Sequence, residues 1–473
     1  MAHEQHKCTV AVVGGGCSGL LVAVQLLRNG FRGSIVIIEP RERLGTGLAY
    51  STPFDQHLLN VPAGKISALA GEPAHFLEWL RARHNPEAGP GTFAPRKVYG
   101  EYLQDLIART ISAHPQANLS HIRAEVVSVE SGAANGEAGG ACLTLSNGVL
   151  IHAEQTVLAI GNPASSPEPG SSRAGLEGRW HLSPWFGDAL KVRFPGERIL
   201  LLGTGLTAVD CVLALLSCPH TCQIVMLSRR GILPRVHDLQ AAAPKPRILT
   251  SAGGLRSIVR ELRENVDEAR QSDLCWRTVV DALRPLSNDL WCDLSHADKA
   301  KFQRHLKTYW EVHRHRMAPE IHAQLNEYQS RGSVQVLAGR IREVRPGGDV
   351  SSVRVLLKRS GERELDVNRI ISCNGIHEDY AGTARPLIRQ LIQDGMARAN
   401  DLGIGFQTDR HGALMGNATK PSRVLFTLGP PRRGQLFETT AVPEIRVQAE
   451  ELAVYLLRLQ SGRREGLAFE QFG

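Results

Sequence analysis

The chain has 473 residues, 42% hydrophobic and 22% charged, enough apolar content to fill more than one core. A net charge of +8 is spread along it without an aromatic-interleaved basic patch, which argues against nucleic acid and for anionic cofactors or an acidic substrate. No apolar h-region opens it, no apolar run reaches membrane-span length, and its nine cysteines lack framework spacing, so a cytoplasmic protein without structural disulfides is expected.

The first element is an apolar run, Val10 to Val13, that runs into Gly14-Gly15-Gly16-Cys17-Ser18-Gly19 and then a helical apolar pattern. Glycines spaced G-x-G-x-x-G between a strand and a helix make a tight turn at Gly14, a pyrophosphate approach at Gly16 and close helix packing at Gly19. A second run, Ile35 to Ile38, ends at Glu39, twenty residues after Gly19, where an acid would meet ribose hydroxyls and repel a 2′-phosphate. FAD is the expected ligand.

Leu44 to Lys65 carries glycines and prolines without periodicity and is too apolar for disorder, so it is expected beside the flavin. Asn60 and Lys65 are its candidate catalytic groups, with His57 a further polar candidate. Helices are expected over residues 73–83 and 99–114. A strand over 122–129, then a hairpin about Asn147-Gly148 and a buried strand from Thr156 to Gly161, complete a β-meander. The loop 132–140 reads as small and polar. Val127 and Gly161 join Gly14, Gly16, Ser18, Gly19 and Glu39 as cofactor-binding candidates. Residues 163–195, with five prolines, read as an inter-domain connection.

The opening pattern then returns. Arg198 to Leu202 leads into Gly203-Thr204-Gly205-Leu206-Thr207-Ala208, and the next strand ends at Ser228, again twenty residues on. Here Ser228-Arg229-Arg230 replaces the acid, and guanidiniums suit a phosphate. Gly203, Gly205, Thr207, Ala208, Ser228, Arg229 and Arg230 are therefore expected to hold NADPH. The meander repeats over 334–344, 353–368 and 369–375. Between the two halves of this copy, residues 240–331 have helical spacing. Within them Tyr309 to Met317 is dense in basic and aromatic groups, either a solvated face or a contact for substrate or cofactor. The C-terminal part runs from a short apolar strand into Gly429-Pro430, then Glu438-Thr439-Thr440, then a helix from about 443 to 460 whose first amides suit the flavin.

The expected fold is α/β, with two Rossmann-type dinucleotide-binding domains, the NADPH domain inserted into the FAD domain and a helical insertion added. The expected boundaries are 1–165 and 376–473 for the FAD domain and 190–375 for the NADPH domain.

The residues 49–52, 57–65, 205–210, 228–231 and 312–319 resemble the bacterial FAD/NAD(P)-binding oxidoreductases, two-dinucleotide-binding flavoproteins similar to class B and N-hydroxylating flavin monooxygenases. The resemblance implies that Gly429, Glu438, Thr439 and Thr440 stand where the wider superfamily has Gly-Asp near the ribityl chain. It also implies a single-component monooxygenase acting on the nitrogen of an amino acid or small amine, with molecular oxygen as co-substrate. An NADPH-dependent flavin reductase or dehydrogenase serving another acceptor, or a non-catalytic flavin-binding protein, is the alternative. No C-x-x-C lies beside a flavin segment, which disfavours disulfide reductases. No metal, nucleic acid or membrane partner is expected, and a homo-oligomer is compatible with the sequence.

Overall fold

The structure is a computed structural model that describes residues 4–132, 139–162, 175–238, 253–373, 379–383, 385–418 and 420–470. Most of the expected 132–140 loop, the first part of the expected 163–195 connection, the start of the helical insertion and the expected strand end at Asn374-Gly375 lie outside the described residues.

Two seven-stranded sheets carry the chain. The first is built from β1 (Gln5–Val13), β2 (Ser34–Ile38), β3 (Asn118–Ile122), β4 (Val126–Gly132), β5 (Gly140–Leu145) and β6 (Leu150–Leu158) in the order β3-β2-β1-β6-β5-β4. Its parallel part follows from the crossover helix α1 (Cys17–Arg28), buried along most of its length, which returns the chain to the same sheet direction. Helices α2 (His75–Arg83) and α3 (Arg96–Ala113) cover one face. The expected strand over 122–129 is two strands: β3 pairs with β2, and β4 pairs with β5. The chain breaks between them because the Ile122 carbonyl accepts from both Glu39 N–H and Ala124 N–H.

The second sheet comprises β7 (Trp180–His181), β8 (Glu197–Leu202) and β9 (Cys222–Ser228), with helix α4 (Leu206–Leu216) between the last two, and four later strands. Between them stand α5 (Gly254–Gln271), α6 (Trp276–Leu283), α7 (Ser287–Asp293), α8 (His296–Lys301), a π-helical turn (Phe302–Leu306), α9 (Lys307–Arg314) and α10 (Pro319–Ser330). The sheet then resumes with β10 (Val334–Arg345), β11 (Ser351–Leu357), β12 (Gly361–Val367) and β13 (Arg369–Ser372), in the order β12-β11-β10-β9-β8-β13-β7. The stretch expected as a plain connection therefore contributes β7, which pairs with β13.

After α11 (Pro386–Gln393) the chain re-enters the first sheet. Strand β14 (Leu425–Thr427) lies parallel to the last residues of β6, and α12 (Val442–Glu470) packs on α1. The described residues up to 162 and the C-terminal segment thus share one core, in which Leu20, Val24, Phe426, Ala449 and Leu452 meet.

One ion pair is sealed inside the second sheet. Arg369 Nη2 donates to Glu197 Oε2 at 3.1 Å, and its Nη1 donates to the carbonyls of Asp188 and Ala189. Both side chains are buried. Removing one partner leaves the other charged and unpaired, a loss of about 3–5 kcal/mol. Glu197→Ala is expected to lower stability by that order, measured by urea unfolding of the apoprotein.

Candidate functional site: two dinucleotide turns and the junction between them

The first turn is set by contacts that only glycine allows. A side chain at Gly19 would stand 1.9 Å from the Gly14 carbonyl, and one at Gly14, where φ is +100°, would stand 2.5 Å from the Ala159 carbonyl. These two positions hold β1, β6 and α1 together. Gly16 differs: a Cβ there meets only Gly47, at 3.5 Å. The room is left over for a ligand at the start of α1, where unpaired amides favour a phosphate. Glu39 is buried. Its Oε2 accepts from Gly15 N–H at 3.0 Å and its Oε1 from Arg41 N–H at 3.1 Å, which fixes the carboxylate at the mouth of the turn. Gly45 N–H donates to the Gly15 carbonyl at 2.7 Å, so the loop from Leu44 lies against the turn. Burial pushes the Cys17 thiol up to about 12, which keeps it protonated there.

Val127 is the extra residue of a β-bulge between Val126 and Ser128, and it is exposed. The second sheet repeats the bulge at Arg342. Gly161 follows β6 with φ +65° and open space around it.

The C-terminal segment closes this site. Gly429, with φ +70°, sits so that a Cβ would approach Ser18 Oγ at 3.0 Å. Gly429 N–H donates to Gln448 Oε1 at 3.0 Å, Gln448 Nε2 donates to Thr439 Oγ1 at 2.9 Å, and Thr439 Oγ1 donates to the Gly429 carbonyl at 2.9 Å. Gly429, Thr439 and Ser18 therefore come together at the N-terminus of α1. Glu438 points elsewhere: it is buried and lies 3.2 Å from Arg314 of the insertion. Thr440 is half-buried beside Thr439.

The second turn repeats the first. A side chain at Gly203, φ +132°, would collide with the Cys373 carbonyl at 2.3 Å, while one at Gly205 meets nothing within 4 Å. Thr207 and Ala208 open α4. Ser228 Oγ bonds Thr204 Oγ1 at 2.9 Å and accepts from Gly231 N–H at 3.0 Å. Arg229 is exposed and uncommitted. Arg230 leans on the insertion, donating to Thr308 Oγ1 at 2.7 Å, with its guanidinium 5.1 Å from the Tyr309 ring centre.

The turns are joined by polar contacts that sequence reasoning missed. Arg96 pairs with Asp210 of α4 at 2.6 Å, and His57 Nε2 donates to the Asp210 carbonyl at 2.9 Å, with Thr52 Oγ1 on its Nδ1. Burial pushes the Asp210 carboxyl up, against the pull of Arg96 and His57. His57 is thus a buried clasp between the two halves of the chain. Asn60 gives its carbonyl to His237 Nε2 at 3.0 Å and keeps its side-chain amide free, and Lys65 ends a short 3₁₀ turn, exposed. Arg284 reaches Glu444 at the start of α12 through two bonds of 2.6 and 2.9 Å. The insertion is therefore tied to the C-terminal segment at Glu438 and Glu444. Within the dense stretch Tyr309 to Met317, expected as a solvated face or a contact for substrate or cofactor, Arg314 and Glu311 reach Glu438 and Arg433 more than a hundred residues away. Among the described residues no His, Cys, Asp or Glu cluster could hold a metal ion.

Residues 11–163 match the model of the FAD-NAD(P)-binding family, so the chain carries a domain of that kind over its first third. An L-aspartate N-monooxygenase (nitrosuccinate-forming) of Streptomyces davaonensis is 30% identical over 253 residues, which cover 44% of this chain and 38% of that protein. The match thus spans less than half of the relative's length. Among solved structures, the ornithine hydroxylase of Pseudomonas aeruginosa superposes with a TM-score of 0.65 at 16% identity, covering 96% of this chain and all of that one. The L-lysine 6-monooxygenase of Pseudomonas syringae gives 0.62 at 16% identity, over 96% and 99% of the two chains. At that identity they show the fold: two dinucleotide-binding domains in one chain.

Two expectations follow. Gly16→Ala and Gly205→Ala leave the fold intact but remove space for a ligand, so each should keep its apoprotein melting temperature while losing FAD or nicotinamide nucleotide respectively; Gly19→Ala should instead fail to fold. Flavin absorbance and nucleotide titration beside thermal melts separate these outcomes. The second concerns pH. Burial, with Arg316 and Lys65 nearby, pushes His237 down to about 4, and burial with Arg314 and Arg433 pushes His315 down to about 3. Unfolded, both take up protons near pH 6.5. The unfolded state then binds more protons between about 6.5 and 4, so stability falls as pH is lowered through that window. Unfolding midpoints across pH 4–7 should show this slope, and His237→Gln should flatten it.

Proposed function

We propose that this protein is an FAD-containing, NADPH-dependent monooxygenase that hydroxylates the nitrogen of an amino acid. The observation that carries the reading is the convergence of two unlike dinucleotide turns on one junction, linked through His57, Arg96 and Asp210 and roofed by a helical insertion. The aspartate N-monooxygenase relative and the ornithine and lysine hydroxylase folds support the chemistry. The overall reaction balances as amine, dioxygen, NADPH and a proton giving hydroxylamine, water and NADP⁺.

FAD, when bound, supplies the redox step between NADPH and dioxygen. The chain's own residues bind and shield. Gly14, Gly16, Ser18 and Gly19 form the FAD pyrophosphate turn, Glu39 takes the ribose hydroxyls, and the bulged backbone of Val127, with Gly161, borders the adenosine half. Gly429, Thr439 and Thr440 border the ribityl chain, and Glu438 holds the roof through Arg314. Gly203, Gly205, Thr207 and Ala208 form the NADPH turn, with Ser228, Arg229 and Arg230 at the 2′-phosphate. Asn60 and Lys65 face the reacting centre, Asn60 through its free amide and Lys65 as a cation. The loop from Leu44 and the insertion exclude water, which an oxygen-transfer site needs. The division into FAD segments 1–165 and 376–473 around an NADPH domain at 190–375 belongs to the same reading. So does a cytoplasmic setting, where nine unpaired cysteines fit a reducing compartment and no described helix is long and apolar enough to cross a membrane.

Purified holoprotein supplied with NADPH, labelled dioxygen and a panel of amino acids should yield a product carrying one labelled oxygen on nitrogen. Rapid NADPH oxidation with an artificial acceptor and no label in any product would favour the reductase alternative instead. Arg229→Ala removes a charged contact of about 1.5–3 kcal/mol, so KM for NADPH should rise about tenfold or more while KM for NADH stays unchanged. Steady-state kinetics with both nucleotides checks this.

A further inference from the structure

The junction of flavin loop, NADPH domain and insertion carries charge that its own residues leave unbalanced. Arg277 donates from Nε to the Val236 carbonyl at 2.8 Å, and its guanidinium lies 4.7 Å from the Trp276 ring centre. Arg316 lies over the same ring at 6.0 Å. It is 2% exposed, pairs with Asp281, and has an Nε without a hydrogen-bond partner. His237, next to Val236, holds the Asn60 carbonyl and so brings in the turn that ends at Lys65, which is exposed and unpaired.

Of the surrounding charges, Arg284 is matched by Glu444 and Arg314 by Glu438, while Glu311 is shared by Arg433 and Lys307. Exposed Arg235 and Asp238 flank the segment with opposite signs. Lys65, Arg277 and Arg316 stand together with Asp281, which pairs with Arg316. Burial keeps His237 neutral at pH 7, so it adds nothing. The described residues of this junction hold two positive charges in excess.

We propose that this excess selects a dicarboxylic amino acid, with Arg277 and Lys65 taking its two carboxylates while Asp281 holds Arg316 behind them. The inference rests on the N-hydroxylation reading and narrows its substrate. An amine must be unprotonated to attack an oxygen donor. A dicarboxylic amino acid in that form carries two negative charges and balances the junction. Ornithine or lysine with its side-chain amine neutral carries no net charge, and with that amine protonated it adds a further positive one. Unbalanced charge in a partly buried site is unfavourable, so the diamines are the poorer ligands.

The test is equilibrium titration of the FAD-loaded protein, with and without NADP⁺, against L-aspartate, L-glutamate, L-ornithine and L-lysine. An acidic amino acid is expected to bind at least tenfold more tightly than either diamine. Arg277→Gln should weaken that binding at least tenfold, with Arg277→Lys between the two, and flavin absorbance reports folding. Lys65→Gln, at an exposed position, repeats the test should Arg277→Gln fail to retain flavin. Equal or tighter binding of ornithine or lysine, binding of acids untouched by either change, or no binding of any acid would overturn the assignment. The titration involves no oxygen chemistry, so acid binding without label incorporation sinks the hydroxylation reading alone, and labelled hydroxyornithine sinks the acid preference alone.

Discussion

The arrangement depends on one buried crossing, where His57 and Arg96 of the first domain both grip Asp210 of the second. His57 donates to the Asp210 carbonyl and Arg96 pairs with its carboxylate, so backbone and side chain of one helical residue are held at once. Asp210 lies one turn into α4, directly behind the Gly205 turn. Holding it fixes where the second dinucleotide turn points relative to the first. Leaving the Asp210 carboxylate buried without Arg96 would be costly, because an unpaired buried charge loses its solvation without return. The crossing therefore acts on orientation between domains rather than on either fold alone.

The fold was legible where the signal was local. The two glycine turns, Glu39, Ser228 and the hairpin at Asn147-Gly148 are written in short runs whose spacing has one backbone solution. The split of one expected strand into β3 and β4 was not legible, because it turns on whether the Ile122 carbonyl serves a sheet or a loop. Strand β7 was hidden in a Pro-rich stretch, since two residues carry no periodicity. Gly429 and Thr439 meet within one short segment, whereas the contact of Glu438 could not be read from the sequence. Its partner Arg314 is far away in sequence, and only the fold brings the two together. The bond from His57 to α4 was not legible, because its partner Asp210 lies 153 residues on.

The insertion shows how a charged helix face can be more than a solvated surface. Arg284 and Arg314 are largely buried and reach acids on the C-terminal segment. Such pairs add little net stability, since desolvation offsets much of the attraction. Their effect is positional: two fixed anchors hold α6 and α9 over the start of α12. Trp276 then presents one ring to both Arg277 and Arg316, so the cations at the junction are spaced by a rigid aromatic rather than by flexible stems.

The two halves of the chain solve one local problem twice, and at the corner beside each glycine turn they differ in charge. At the end of β2, Glu39 accepts from Gly15 N–H and closes the strand onto the turn. At the end of β9, Ser228 accepts from Gly231 N–H and bonds Thr204, closing the equivalent corner with a neutral hydroxyl. Glu39 takes a backbone N–H of the turn, whereas Ser228 takes one of its own loop and meets the turn through the Thr204 hydroxyl. The difference lies in what each corner offers an incoming nucleotide: a buried anion in one case, and a hydroxyl beside Arg229 and Arg230 in the other. A carboxylate accepts from ribose hydroxyls and repels a phosphate, whereas the hydroxyl and guanidiniums attract one. On the proposed reading, the same scaffold would sort two adenine dinucleotides by the sign of one corner, FAD at the turn closed by Glu39 and NADPH at the turn closed by Ser228.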